Sequence, residues 1–208
     1  MNDVMSVIKE KRIVPVVKLD SAEDALPLAK ALMEGGLPVA EITFRTEAAE
    51  ESIRRIRQEF PDMLCGAGTI INRQQAECAV RAGAVFLVSP GFSKEVTEYA
   101  QERNIPVFPG CCTPTEIIYA LDHGLKVVKF FPARQFGGLD TISALSAAFP
   151  GVRFMPTGGV STENLREFLD NDKIFACGGS WMVSEKLIKE GKFDEVTRLT
   201  KEAVELAK

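Results

Sequence analysis

The sequence predicts an α/β protein: a single (β/α)8 (TIM) barrel spanning residues 1–208, with a short N-terminal helix. Three observations lead there. Apolar runs of strand length alternate eight times with segments of helical period, which implies parallel strands with helices outside them. Eight such units close into a ring. No linker or shift of composition divides the chain, and 208 residues at 46% hydrophobic and 26% charged suffice for one packed core. The competing architecture is an open doubly wound sheet, which has fewer strands and one glycine-rich phosphate turn, so the count of eight favours the barrel.

Residues 2–11 read as the leading helix, and Ile13-Val-Pro-Val-Val17 as the first strand. Ser21 can cap a helix over 22–34, where Ala25, Leu28, Ala29 and Leu32 recur at helical spacing and Gly35-Gly36 ends the run. Strand 38–44 leads into helix 47–59, closed by Phe60-Pro61. Strand 64–68 precedes helix 73–82, and strand 84–88 precedes helix 93–103 with Ser93 as its cap. Strand 106–109 precedes helix 114–123, opened by Thr113 and a proline at the first helical position. Strand 126–131 precedes helix 138–149, and strand 152–156 precedes helix 161–170, capped by Ser161. Residues 173–177 read as the last strand, followed by a break at Gly178-Gly179 and helical segments 184–190 and 194–207.

Composition excludes several classes. The net charge is −4, and no basic run marks a nucleic-acid surface. No window approaches the apolar length of a membrane span, and the N-terminus lacks the apolar core of a signal peptide, so a cytoplasmic location is expected. The five cysteines are odd in number and lack zinc-ribbon spacing, and with one histidine in the chain no zinc site is expected. They read as reduced thiols.

In this fold, active sites gather where strands exit. The exits are Lys18, Arg45-Thr46, Gly68-Thr69, Ser89-Pro90-Gly91, Gly110-Cys-Cys-Thr113, Phe131-Pro-Ala-Arg134, Thr157-Gly-Gly159 and Gly178-Gly179-Ser180. Two charged residues interrupt otherwise apolar strands just below this rim. Lys129 shares a face with Val127 and Phe131, and Glu41 shares one with Val39, Thr43 and Arg45. Desolvation disfavours an ammonium, and an uncharged lysine attacks carbonyls. The pair reads either as a structural ion pair or as an acid/base with a nucleophile. Burial favours the second reading, because a buried ion pair is poor evidence for stability.

The glycines of Thr157-Gly158-Gly159 and Gly178-Gly179-Ser180 either make tight turns or let backbone N–H groups approach an anion. Their place after strands seven and eight is the usual phosphate site of this fold. Arg45 is either a solvated loop residue or a bidentate partner for a substrate carboxylate, with Thr69 beside it. Gly66 and Gly68 either leave room at the reactive centre or pack a narrow barrel. His123, near the end of helix 114–123, reads as a C-terminal charge partner. Trp181 reads as packing under the last helix, and the charges of 47–59 and 184–207 as solvated faces.

Six motifs in order carry a resemblance: Glu41-Ile-Thr-Phe-Arg-Thr46, Gly66-Ala-Gly-Thr69, Ser89-Pro-Gly91, Lys129-Phe-Phe-Pro-Ala133, Pro156-Thr-Gly-Gly159 and Gly178-Gly-Ser-Trp181. From about residue 4 onward the chain resembles the 2-keto-3-deoxy-6-phosphogluconate (KDPG) aldolase family, whose members often also act on 4-hydroxy-2-oxoglutarate (KHG). The resemblance implies that Lys129 forms a Schiff base with the 2-keto carbon and that Glu41 moves protons through a bound water. It implies that Arg45 and Thr69 hold the pyruvyl carboxylate and that Pro90 and Phe131 line the pocket. Thr157, Gly158, Gly159, Gly179 and Ser180 would meet the distal, phosphorylated end. It further implies a homotrimer that needs no metal or other cofactor. The chain departs from the family pattern at Arg134 and at Cys111-Cys112, and an extra rim cation can shift preference among distal groups. The competing functions are a sugar-phosphate isomerase or epimerase on the same barrel, and a non-catalytic phosphometabolite-binding protein.

Overall fold

The computed structural model describes residues 4–208. Helices and strands follow in the order α1 (Val4–Lys11), β1 (Ile13–Val17), α2 (Ala25–Glu34), β2 (Val39–Thr43), α3 (Ala48–Glu59), β3 (Leu64–Gly68), α4 (Arg73–Arg81), β4 (Leu87–Val88), α5 (Lys94–Glu102), β5 (Val107–Phe108), α6 (Pro114–Asp122), β6 (Val127–Phe130), α7 (Gly138–Ala148), β7 (Arg153–Pro156), α8 (Leu165–Leu169), β8 (Cys177–Gly179), α9 (Glu185–Lys189) and α10 (Phe193–Leu206). All strand pairs are parallel. Six strands run β5-β4-β3-β2-β1-β8, and β6 pairs with β7. Single bridges close the ring, Gly110 to Lys129 on one side and Thr157 to Gly178 on the other. The expected eight-unit barrel is therefore present. Residues 2 and 3 of the expected leading helix lie outside the described residues.

Strand alternation sorts the apolar residues into two bodies. Val14, Val39, Phe86, Val88, Phe108 and Met155 fill the barrel's interior together with Ile8 of α1. Phe86 and Phe108 meet edge to face, with ring centroids 6.1 Å apart. Residues of the opposite parity, such as Ile13, Val17, Ala40 and Ile42, join the helix faces in the outer core. Glu41 and Lys129 lie two residues beyond Val39 and Val127, so the same alternation turns both toward the interior, one layer above the apolar filling.

Caps set several helix starts where the sequence placed them. The Ser93 hydroxyl accepts from the Val96 N–H, and Thr113 and Glu116 form a reciprocal capping box with Pro114 in the first turn. Helix 22–34 instead opens with a 3-10 turn over Ala22–Asp24, with Ser21 accepting from the Glu23 N–H.

The last β/α units depart from expectation. Residues 173–175 pair with β7 through Phe154, whose N–H donates to the Lys173 carbonyl. The strand beside β1 is Cys177–Gly179, in the register Ile13↔Cys177 and Pro15↔Gly179. The two glycines are therefore strand rather than break. A Cβ at Gly178 would lie 2.2 Å from Thr157 Oγ1, and one at Gly179 would lie 1.8 Å from the Trp181 ring. The helix expected from 161 begins at Leu165, because Asn164 Oδ1 accepts from the Ser161 N–H at 2.9 Å and holds the chain in a turn.

Candidate active site

Lys129 comes from the middle of β6, where its N–H donates to the Pro109 carbonyl and its own carbonyl accepts from the Cys111 N–H, each at 2.8 Å. Its Nζ lies 3.4 Å from Glu41 Oε1, and the two side chains are 4% and 0% exposed. The other carboxylate oxygen, Glu41 Oε2, is buried without a hydrogen-bond partner among the described residues. Nζ also stands 5.2 Å from the centre of the Phe131 ring. Gly68 makes room for this carboxylate, since a Cβ there would come within 2.0 Å of Glu41 Oε1. Gly66 does a different job, because its absent Cβ would strike the Phe86 ring at 2.3 Å. One glycine makes room for the Glu41 carboxylate and the other for the barrel's aromatic packing.

A cleft of about 380 Å³ opens at the strand exits, and its wall starts at the residues just beyond the pair, with Lys129 and Glu41 themselves buried behind it. Thr43 and Phe131, each two residues beyond a member of the pair, line its lower wall, with Thr157 beside them. The Thr43 hydroxyl donates to the Val17 carbonyl at 2.9 Å, which ties β2 to β1 at this level. Gly158, Gly159, Gly179 and Ser180 line another side. Gly158 and Gly159 have φ of +94° and +83°, which an L side chain resists. The N–H groups of these two residues donate to no backbone carbonyl among the described residues. Their loop is fixed from behind: the Ala133 and Arg134 N–H groups donate to the Thr157 and Gly158 carbonyls, and Asn164 Nδ2 donates to the Gly159 carbonyl.

Arg45 lines the cleft and its Nε donates to Thr69 Oγ1 at 3.1 Å. Thr69 braces that guanidinium. The Pro90 carbonyl packs over Gly110, where a Cβ would sit 2.1 Å from it. Arg134 lies over Gly159, on a surface hollow it shares with Gly137, Asp140 and Asn164. Cys112 Sγ donates to the Phe131 carbonyl at 3.0 Å, and burial raises both Cys111 and Cys112 above the usual thiol range. His123 closes α6, its Nδ1 donating to the Tyr119 carbonyl at 2.8 Å. Trp181 is half-buried against Gly179, on a 3-10 turn that packs on α10.

Two cleft residues escaped the sequence reading. The sequence puts Lys18 at the exit of β1 without marking a role for it, and puts Glu185 on a solvated helix face. Both line the cleft, and Lys18 Nζ lies 2.9 Å from Glu185 Oε2 and 3.2 Å from Asp20 Oδ1. Hydrogen bonds donated by Lys18 first to Glu185 and then to Asp20 hold its ammonium above the usual lysine range. Asp20 is held below the usual carboxylate range, first by Lys189 and then by Lys18. Their signal would have been the ring closure, which sets β1 beside β8 and so brings residues 18 and 185 together. A second hollow, of about 520 Å³, lies at the strand entrances near Lys9, Arg12 and Arg153, away from the buried pair. Among the described residues, no three His, Cys, Asp or Glu side chains gather as metal ligands do, and no helix is long and apolar enough to cross a membrane.

Known proteins share this arrangement of sequence and fold. The chain is 45% identical over 206 residues to 2-dehydro-3-deoxy-phosphogluconate aldolase of Treponema pallidum, covering 99% of this chain and 98% of that one. It is 42% identical over 203 residues to the KHG/KDPG aldolase of Escherichia coli, covering 98% and 95%. A crystal structure of KDPG aldolase from Legionella pneumophila, with pyruvate captured as a covalent carbinolamine intermediate, superposes with a TM-score of 0.92 at 38% identity, covering 96% of this chain and 97% of that one. The family model for KDPG and KHG aldolase matches residues 4–199, and the chain belongs to that family.

Proposed function

We propose that the chain is a class I aldolase, a carbon–carbon lyase that cleaves 2-keto-3-deoxy-6-phosphogluconate to pyruvate and D-glyceraldehyde 3-phosphate, and 4-hydroxy-2-oxoglutarate to pyruvate and glyoxylate. The observation that carries this reading is the buried Lys129–Glu41 pair, 3.4 Å apart beneath a cleft that ends in a glycine cradle.

The chemistry requires an electron sink. Breaking the C3–C4 bond of a 2-keto acid leaves an electron pair on C3. Lys129, as the free amine, adds to the C2 carbonyl to give a carbinolamine, and loss of water gives a protonated imine. Glu41 takes the C4 hydroxyl proton, the C3–C4 bond breaks, and the aldehyde departs. The electron pair enters the imine, which becomes a neutral enamine. Glu41 then returns a proton to C3, and hydrolysis releases pyruvate and the free amine. Glu41 Oε2 suits this shuttle, since no protein donor occupies it among the described residues. Arg45, braced by Thr69, is assigned to the pyruvyl carboxylate through charge-assisted hydrogen bonds. The N–H groups of Gly158, Gly159 and Gly179 with Ser180 are assigned to the distal phosphate. Phe131 and Thr157 form the wall between the two ends, with Pro90 proposed to line the pocket beside Gly110.

We further propose a homotrimer in a reducing cytoplasm. Ile118, Tyr119 and Leu121 leave apolar surface exposed along α6, which supports association, and the unpaired cysteines suit a reducing compartment. A sedimentation mass of one chain would refute the trimer. For the reaction, pyruvate release from each substrate is followed with and without chelator, in the wild type and in Lys129→Met. The proposal expects release that chelator leaves unchanged and that the substitution abolishes. Turnover surviving Lys129→Met would contradict it.

A further inference from the structure

Lys18 and Glu185 face the cleft that holds the glycine cradle, yet neither belongs to the Lys129–Glu41 pair or to the braced Arg45. A bare carboxylate on this wall would repel a phosphate dianion. Glu185 is not bare, because Lys18 Nζ sits 2.9 Å from its Oε2. Lys189 stands behind both carboxylates, 2.7 Å from Asp20 Oδ2 and 3.8 Å from Glu185 Oε2. Lys18 can therefore turn toward a new anion without leaving Asp20 or Glu185 unpartnered. The β1–β8 register supplies the height: Pro15 is level with Gly179, and Lys18 is three residues further along, about 10 Å nearer the mouth. Its side chain is 29% exposed, so it is free to move but not fully solvated.

Resting on the aldolase reading above, we propose that Lys18 is a specificity residue for the phosphorylated end of the substrate. It exchanges Glu185 for a phosphate oxygen when a phosphorylated 2-keto acid enters. The backbone cradle grips the phosphate from one side and the ammonium closes over it from the other. An unphosphorylated substrate meets the Lys18–Glu185 pair intact and draws nothing from it. Phosphorylated substrates thus gain a charge-assisted hydrogen bond that a shorter keto acid cannot make.

The test is steady-state cleavage of 2-keto-3-deoxy-6-phosphogluconate and of 4-hydroxy-2-oxoglutarate by the full chain and by Lys18→Met, Lys18→Arg and Glu185→Gln. Lys18→Met is expected to raise KM for the phosphorylated substrate about tenfold with little change in kcat, shifting the ratio of the two specificity constants by the same factor. Lys18→Arg is expected to restore most of the ratio. Glu185→Gln, which removes the competing charge, is expected to lower KM for the phosphorylated substrate. An unchanged ratio in both Lys18→Met and Glu185→Gln, or equal losses on both substrates, overturns the proposal. Failure of the aldolase reading itself would show separately, as absence of pyruvate release from either substrate by the unaltered chain.

Discussion

Gly68→Ala places a methyl group against the Glu41 carboxylate, to which the proposed mechanism assigns the proton transfers. The added Cβ would lie 2.0 Å from Glu41 Oε1 and 2.5 Å from its carboxyl carbon, whereas ordinary contact begins at 3.4 Å. Glu41 is fully buried, so its carboxylate must move by roughly 1 Å or more to escape. A displacement of that size at a reacting group costs about 10²-fold in rate. Forcing one methyl into a filled interior costs about 1–3 kcal/mol, which for a chain of this length lowers Tm by roughly 3–10 °C. Gly66→Ala is the matched control. Its Cβ would strike the Phe86 ring at 2.3 Å, one layer below the carboxylate, so it should destabilise comparably with a much smaller loss of kcat. The assay is pyruvate release at saturating substrate, with calorimetry on each variant. A folded Gly68→Ala protein that keeps kcat within threefold of the wild type would refute this account of Glu41's position.

Glu41→Gln keeps the shape of the side chain and removes its basicity; kcat should fall about 10²–10⁴-fold while the protein still forms an adduct with pyruvate, read by the same assay and by mass spectrometry. Arg134→Ala should leave the ratio of the two substrates within twofold, because Arg134 lies over Gly159 outside the cleft; a larger shift would mean the side chain reaches substrate. Burial pushes the thiols of Cys65 and Cys177 up to about 12, against 9.0 for a free thiol. The folded chain then holds protons that the unfolded chain loses, so stability should fall as pH rises from 9 toward 12, by up to about 1.4 kcal/mol per pH unit for each thiol. Urea unfolding across that range checks the sign, and Cys65→Ala with Cys177→Ala should flatten the slope.

The chain's own order exposed the barrel because alternating strand and helix patterns are local, and so are most of the caps. The inward orientation of Glu41 and Lys129 was equally legible, since a strand has period two and both residues share parity with apolar neighbours. Ring closure was harder to read. The strand beside β1 is Cys177–Gly179, a glycine-rich run that looks like a break until Thr157 and Trp181 are seen to fill the space of the missing Cβ atoms. For the same reason the meeting of Lys18 with Glu185 had no local signal: 167 residues separate them, and only the closed ring brings them together. Thr69 sits in a loop, and its hydroxyl's partner, the Arg45 guanidinium, comes from another loop, so position alone did not reveal the contact.

The most direct measurement is covalent capture. The chain is incubated with pyruvate and borohydride, digested, and the modified peptide sequenced by mass spectrometry. The assignment of Lys129 as the Schiff-base lysine requires one reduced pyruvyl adduct, on Lys129, absent from Lys129→Met. No adduct, or an adduct on another lysine such as Lys18 or Lys126, would contradict it.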